Sequence, residues 1–266
     1  MFAGSEARGA RNSTSIVVAE TPLVRFCLGR ADDALVLGHR LSEWSGQAPT
    51  LEEELALANI GLDLIGQARA LYAYAGGLTG HDEDELAYLR DERGYKNLLL
   101  VEQPNGDFAV TIVRQFFYGA FAEPFWRAMV LSRDATLAAI AAKAEKEISY
   151  HLRHASEWLI RLGDGTAESH RRAQEALERL FSFTGELFAV DDAEKDLITA
   201  GIAVSPENIR PAWDATLEKI LARATLSRPR DGWMRTGGRA GVHSEHLGHL
   251  LAALQYFPRS HPGAKW

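Results

Sequence analysis

The sequence predicts an all-α protein, a four-helix bundle with additional helices toward its C-terminus. Helix caps and glycine stops divide the chain, no segment sustains the period-two alternation of a strand, and the four longest predicted helices all end before residue 163 of 266. We predict long helices at 22–44, 51–75, 107–131 and 134–162, and shorter ones at 82–92, 167–188, 192–200, 206–226 and 244–257.

The helix predicted at 51–75 has the clearest boundaries. Thr50 and Glu53 have the spacing of a capping box, and Gly76-Gly77 offers a left-handed stop. Its apolar residues form two sets, Leu51, Leu55, Ala58, Leu62 and Ile65 in one and Leu57, Leu64, Ala68 and Leu71 in the other. Two apolar stripes predict a helix that is buried on most of its circumference. Further along, Ser205-Pro206 marks another helix start.

Composition excludes several classes of protein. The chain is 46% apolar and 24% charged, which is ordinary for a globular protein. Its net charge of −7 argues against non-specific nucleic-acid binding. The longest run without a charged residue is residues 246–258, shorter than the roughly 20 apolar residues of a membrane span, so we expect no membrane partner. Cys27 is the only cysteine, which excludes an internal disulfide and agrees with a cytoplasmic protein. We predict a disordered N-terminal arm at 1–20 and one helical domain at 21–266.

Polar side chains recur at helical spacing on three of the long helices. They are Asn59, Asp63 and Gln67 on the second, Lys143, Glu147 and His151 on the fourth, and His39 and Glu43 on the first. Buried polar groups are costly unless they are paired, so inward-facing lines of this kind either pair with one another or hold a ligand.

Inward carboxylates in a four-helix bundle suggest a di-iron site. Such sites take a Glu-x-x-His pair from each of two helices, and this chain contains no Glu or Asp followed three residues later by His. We therefore expect no catalytic, cofactor-binding or metal-ligating residues, and a vestigial site at Glu43, Asp63, Glu147 and His151, in which Lys143 and His151 offset the acids. The alternative is a free-standing ferritin-like di-metal oxidase that uses these four residues as an unorthodox ligand shell.

Two further segments attract attention. His243, His246 and His249 are candidates for zinc, although capping or packing roles fit their spacing better. A basic loop at 227–242 offers either a clamp for an anionic ligand or partner, or a solvated loop, and we favour partner contact; its arginines are Arg228, Arg230, Arg235 and Arg239, with Trp233 and Met234 between them. The aromatic-rich helix at 107–131 is a second candidate for a partner surface.

Five blocks of sequence resemble the PaaC family. They are residues 31–44 (ADDALVLGHRLSEW), 59–69 (NIGLDLIGQAR), 97–108 (NLLLVEQPNGDF), 158–165 (WLIRLGDG) and 243–248 (HSEHLG). The resemblance extends over about residues 22–263.

The resemblance implies a ferritin-like fold and a structural, non-catalytic role in the ring 1,2-phenylacetyl-CoA epoxidase, a monooxygenase complex of aerobic phenylacetate degradation. It implies pairing with a homologous catalytic subunit of the PaaA type, which holds the di-iron centre, binds phenylacetyl-CoA and activates O₂. Other subunits would include a reductase that uses NADPH.

Overall fold

The computed structural model describes residues 15–264. Over this range the chain folds into ten α-helices, connected by loops and short 3₁₀ segments, and its β-structure is one isolated bridge between Ile16 and Arg90. The helices are α1 (Pro22–Ser42), α2 (Leu51–Thr79), α3 (Glu83–Tyr88), α4 (Leu99–Glu102), α5 (Phe108–Met129), α6 (Ala135–Gly163), α7 (Ala167–Phe181), α8 (Asp192–Thr199), α9 (Arg210–Arg223) and α10 (Glu245–Ser260). The predicted all-α class is confirmed.

The four long helices form the predicted bundle from two pairs. Helix α1 packs along α2, α5 packs along α6, and α2 also contacts α6. Phe26 of α1 meets Phe125 of α5 with ring centroids 6.5 Å apart, which joins the two pairs at their centre. Helices α7 and α9 cover α5, and α8 lies against α1. This arrangement is a ferritin-like bundle with additional C-terminal helices.

Helix α5 is the most deeply buried of the four. The prediction that its aromatic side chains face a partner is wrong, because all of them except Phe108 are buried within this chain. Phe117 packs against Phe181 and Trp213, and Phe121 packs against Phe188. These partners come from α7, α9 and the 3₁₀ segment at Gly185–Phe188, which cover the side of α5 that faces away from the bundle.

Helix α2 continues past the predicted stop. It ends at Thr79, and Gly80, with φ of +78°, takes the left-handed capping position. Gly76 serves another purpose, because a Cβ there would collide with the carbonyl oxygen of His81 as the chain turns back. The Thr50 hydroxyl accepts from the Glu53 amide as predicted. The Glu53 carboxylate does not close the capping box and lies instead 2.9 Å from Nε2 of His154.

Other boundaries differ by short 3₁₀ segments. The segment predicted as a helix at 167–188 divides into α7 and the 3₁₀ turn, and the one at 206–226 begins with a 3₁₀ turn before α9. The one-turn helix α4 has no counterpart among the predictions. None of the helices within residues 15–264 is both long and apolar enough to cross a bilayer.

Residues 1–14 of the predicted arm lie outside the described residues. Residues 15–20 run along the bundle, where the Ile16 amide donates to the Leu89 carbonyl at 2.9 Å. Glu20 forms ion pairs with Arg25 at 3.1 Å and Lys96 at 3.4 Å. The division into an arm at 1–20 and a domain at 21–266 stays a prediction.

Candidate functional site

Three of the four residues predicted for a vestigial metal site lie on one polar seam between α2 and α6. Oδ2 of Asp63 is 3.0 Å from Nε2 of His151, and Nε2 of Gln67 donates to Oε2 of Glu147 at 2.9 Å. The antiparallel helices continue this pairing toward Glu53, whose carboxylate contacts His154. The structure therefore brings Asp63, Glu147 and His151 together and satisfies both carboxylates with side chains of the chain itself.

His151 acts in the seam as a hydrogen-bond donor and not as a cation. Its ring is buried, its Nε2 faces Asp63, and its Nδ1 has no hydrogen-bond partner among the described residues. Burial lowers the pKa of His151, although the bond to Asp63 acts in the opposite direction. The neutral tautomer with its proton on Nε2 fits this geometry, since a second proton on Nδ1 would be buried without an acceptor.

The fourth predicted residue, Glu43, does not join the seam. One carboxylate oxygen accepts from Nη1 of Arg40 at 2.8 Å, and the other accepts from Nδ2 of Asn105 at 2.9 Å. Its side chain is half-exposed near the C-terminus of α1. The predicted pairing of all the candidate acids in one cluster is wrong for Glu43, because that residue is held by the loop that precedes α5.

The prediction that Lys143 neutralises buried acids also requires correction. Its ammonium lies 3.4 Å from Oε1 of Glu147, but its side chain is 72% exposed. Solvent screens such a pair, so the deep compensation expected from the sequence is absent.

We expect Lys143→Met to change the free energy of unfolding by less than about 1 kcal/mol, as for other exposed ion pairs. Denaturant titration of the variant and the wild type gives this difference directly. A loss of several kcal/mol would mean that Lys143 supports the seam far more than its exposure indicates.

The seam does not fit a di-iron centre. Within residues 15–264, no group of three or more His, Cys, Asp or Glu side chains is placed to hold a metal ion. Each nearby carboxylate already accepts from a His, Gln or Lys group, and Glu43 lies apart. A di-iron centre draws its ligands from all four helices of a bundle, whereas this seam is built from two.

The predicted zinc candidate His243 has both ring nitrogens engaged. Nδ1 lies 2.9 Å from Oε2 of Glu102, and Nε2 lies 3.0 Å from the carbonyl oxygen of Tyr95. Both partners are acceptors, so the ring donates twice as an imidazolium. Glu102 is buried and also accepts from the Ser244 amide at 2.7 Å. The arrangement connects the start of α10 to α4 and leaves no nitrogen of His243 for zinc, while His249 is exposed.

This pair predicts a pH dependence of stability. Burial alone would lower the pKa of His243, but its bonds to Glu102 and to the Tyr95 carbonyl raise it above its ordinary value. Because the folded pKa is the higher one, the stabilisation is complete below the unfolded pKa of about 6.5 and is lost as the pH rises through the folded pKa.

The measurement compares the wild type with His243→Gln in denaturant titrations at several pH values. We expect the difference in free energy of unfolding to be largest below about pH 6.5 and to shrink at alkaline pH. A difference that is the same at every pH would contradict the imidazolium assignment.

The most extensive polar cluster was missed by the sequence interpretation. On α1, buried Asp32 accepts from Arg90, from the Tyr72 hydroxyl at 2.5 Å and from the Lys96 amide at 2.7 Å. Its neighbour Asp33 accepts from the Leu98 amide at 2.8 Å. Together the two carboxylates fix the extended chain at 95–98 across α1. Two adjacent acids within an apolar helix were the available signal, since buried acids require partners.

The basic loop divides into a structural part and an exposed part. Arg239 donates to Oδ2 of Asp33 at 2.6 Å and to the carbonyl oxygens of Gly29 and Lys96, so it belongs to the interior. Arg228 forms an ion pair with Asp214 at 2.8 Å and borders an open groove of about 520 Å³ that Arg230 and the exposed Trp233 also line. Contact of this exposed part with a partner or an anion stays a prediction.

Comparison with known proteins adds two findings. A sequence model of the family described as "Phenylacetic acid catabolic protein" matches residues 9–266. One of the subunits of the 1,2-phenylacetyl-CoA epoxidase of Escherichia coli (strain K12), the one designated C, is 51% identical to the chain over 245 residues, which cover 92% of this chain and 99% of that relative.

Proposed function

The chain belongs to the PaaA_PaaC family of phenylacetic acid catabolic proteins, and from this premise we propose that it is the structural subunit of a cytoplasmic 1,2-phenylacetyl-CoA epoxidase. In this role it binds and stabilises a homologous catalytic subunit. That partner supplies the di-iron centre and the substrate site, and a reductase subunit delivers electrons from NADPH. The chain itself contributes neither a metal nor a catalytic residue.

The observation that carries this proposal is the occupation of the candidate acids by groups of the chain itself. Asp63 faces His151, Glu147 accepts from Gln67, and Glu43 is bonded to Arg40 and Asn105. A bundle that satisfies its inward carboxylates in this way is complete without a metal ion. The 51% identity to a protein named as part of an epoxidase supports the same division of labour.

Co-expression with a PaaA-type catalytic subunit tests the proposal. We expect the two chains to purify together at a fixed ratio, and the oxidation of phenylacetyl-CoA to require the catalytic subunit, the reductase and this chain. The isolated chain should show no O₂-dependent turnover. Full epoxidation by the catalytic subunit and reductase without this chain, or turnover by this chain alone, would contradict the proposal.

A further inference from the structure

The outer side of α2 is an apolar stripe that this chain leaves uncovered. Leu51, Leu55 and Leu62 are 69%, 57% and 66% exposed, and Ala58 between them is exposed as well. This stripe is one of the two that predict burial on most of the helix, and the structure buries only the other, which includes Leu57, Leu64 and Leu71. Contiguous exposed apolar residues at helical spacing are typical of a surface that is covered by another protein chain.

The neighbouring side of α6 extends this surface and gives it a charge. The polar seam holds α6 beside α2, which places Tyr150 and Lys143 next to the stripe, with Lys143 reaching over Gly66. The exposed charged residues on this side of α6 are mainly basic, Lys143, Lys146, Arg153 and Arg161 against Glu157. The border is therefore locally positive on a chain whose net charge is −7.

We infer that this α2–α6 face, defined by the stripe at 51–62 and the exposed side of α6, is where the catalytic subunit docks. The inference rests on the proposed function and adds to it the surface and the chemistry of the contact. The matching surface of the partner is an apolar pair of helices bordered by carboxylates.

The size of the face suits a stable contact between two subunits. From Leu51 to Ala73 the outer side of α2 is about 33 Å long, and two adjacent helices are about 20 Å wide. The footprint of about 650 Å² approaches the roughly 800 Å² that each partner contributes to a standard interface. Arg69, the one exposed charge within this length, is paired with Glu83 at 3.0 Å.

Charge argues for a different subunit over a second copy of this chain. A two-fold dimer uses the same patch on both protomers, so it would bring the basic border of α6 into an interface that contains the same cations again. A partner with an acidic border removes this repulsion and gains electrostatic steering. Other strongly exposed apolar side chains, such as Leu131 and Trp233, lie apart from the stripe and form no comparable surface.

Thiol protection tests the docking surface independently of activity. Cys27 is buried and burial raises the pKa of its thiol to about 12, so a cysteine introduced on the surface is the reactive one. In the complex with the catalytic subunit, Leu62→Cys should be alkylated at least about tenfold more slowly than in the free chain, as expected of a buried interface core. The matched control, Leu131→Cys, should react equally fast in both.

Binding measurements complete the test. Leu62→Glu should weaken association with the catalytic subunit by about 100-fold or more, as a charge at the centre of an apolar contact does, while Leu131→Glu should have little effect. Lys146→Glu should slow association at low salt. Thermal melts confirm that each variant is folded.

The outcomes separate the docking surface from the proposed function. If the wild type binds the catalytic subunit but Leu62→Cys remains unprotected and Leu62→Glu binds normally, the α2–α6 face is wrong and the structural role stands. If the wild type does not bind the catalytic subunit, the proposed function fails and this inference fails with it. A homodimer disrupted by Leu62→Glu would assign the face to a second copy and overturn the inference.

Discussion

Replacement of Asp32 by Asn is expected to lower the free energy of unfolding by about 3–5 kcal/mol, the usual cost of removing one partner from a buried ion pair. Asp32 is fully buried, and its carboxylate accepts from both terminal nitrogens of Arg90, itself buried among Tyr72 and Tyr95. An amide leaves the guanidinium charge uncompensated in the interior. It also presents an NH₂ group to donors that require an acceptor.

Equilibrium denaturation of Asp32→Asn measures this loss. The matched control is Asp192→Asn, since Asp192 is exposed and paired with Lys195 only at the surface, and its change should stay within about 0.5 kcal/mol. If Asp32→Asn is as mild as the control, the cluster around Asp32 does not hold the segment at 95–98 in place.

The second large effect is expected for Trp213→Ala, which should cost about 3–5 kcal/mol as a large-to-small substitution in a packed core. The indole of Trp213 is buried between α5 and α9, within 6.4 Å of the rings of Phe117, Phe181 and Phe188, and its Nε1 donates to the Phe117 carbonyl at 3.1 Å. Truncation removes these contacts and leaves that carbonyl without its donor.

Trp233→Ala is the matched control, because the same substitution at an indole that is 75% exposed removes little packing. Denaturant titration of the two variants decides whether the aromatic residues of α5 belong to the core of this chain. Equal and small losses would return those residues to the role of a partner surface.

Local signals predicted the helices well because caps and periodicity act within a few residues. Thr50 starts α2 as expected, and the four long helices appear at the predicted positions. Gly76 misled the prediction, since a glycine that allows close approach of another segment looks the same in the sequence as one that ends a helix. The burial of α5 was equally hidden, because its ring partners come from segments distant in sequence.

The candidate site was predictable only in part. The spacing of Asp63, Gln67, Glu147 and His151 correctly indicated two facing polar lines, because helical periodicity fixes which residues share a face. The position of Glu43 and the exposure of Lys143 depend on how α1 and α6 are rotated in the bundle, which no local pattern encodes. The partners of Asp32, Asp33 and Glu102 lie more than 50 residues away or in loops without periodicity.

The iron content of the chain tests the central claim most directly, when it is purified alone and in complex with its catalytic partner. A bundle without Glu-x-x-His, with its seam acids already paired, should hold no stoichiometric iron alone. The iron of the complex should be unchanged by Glu147→Ala in this chain. One equivalent or more of tightly held iron in the isolated chain, lost together with activity in Glu147→Ala, would contradict the structural role and favour a metal-dependent oxidase.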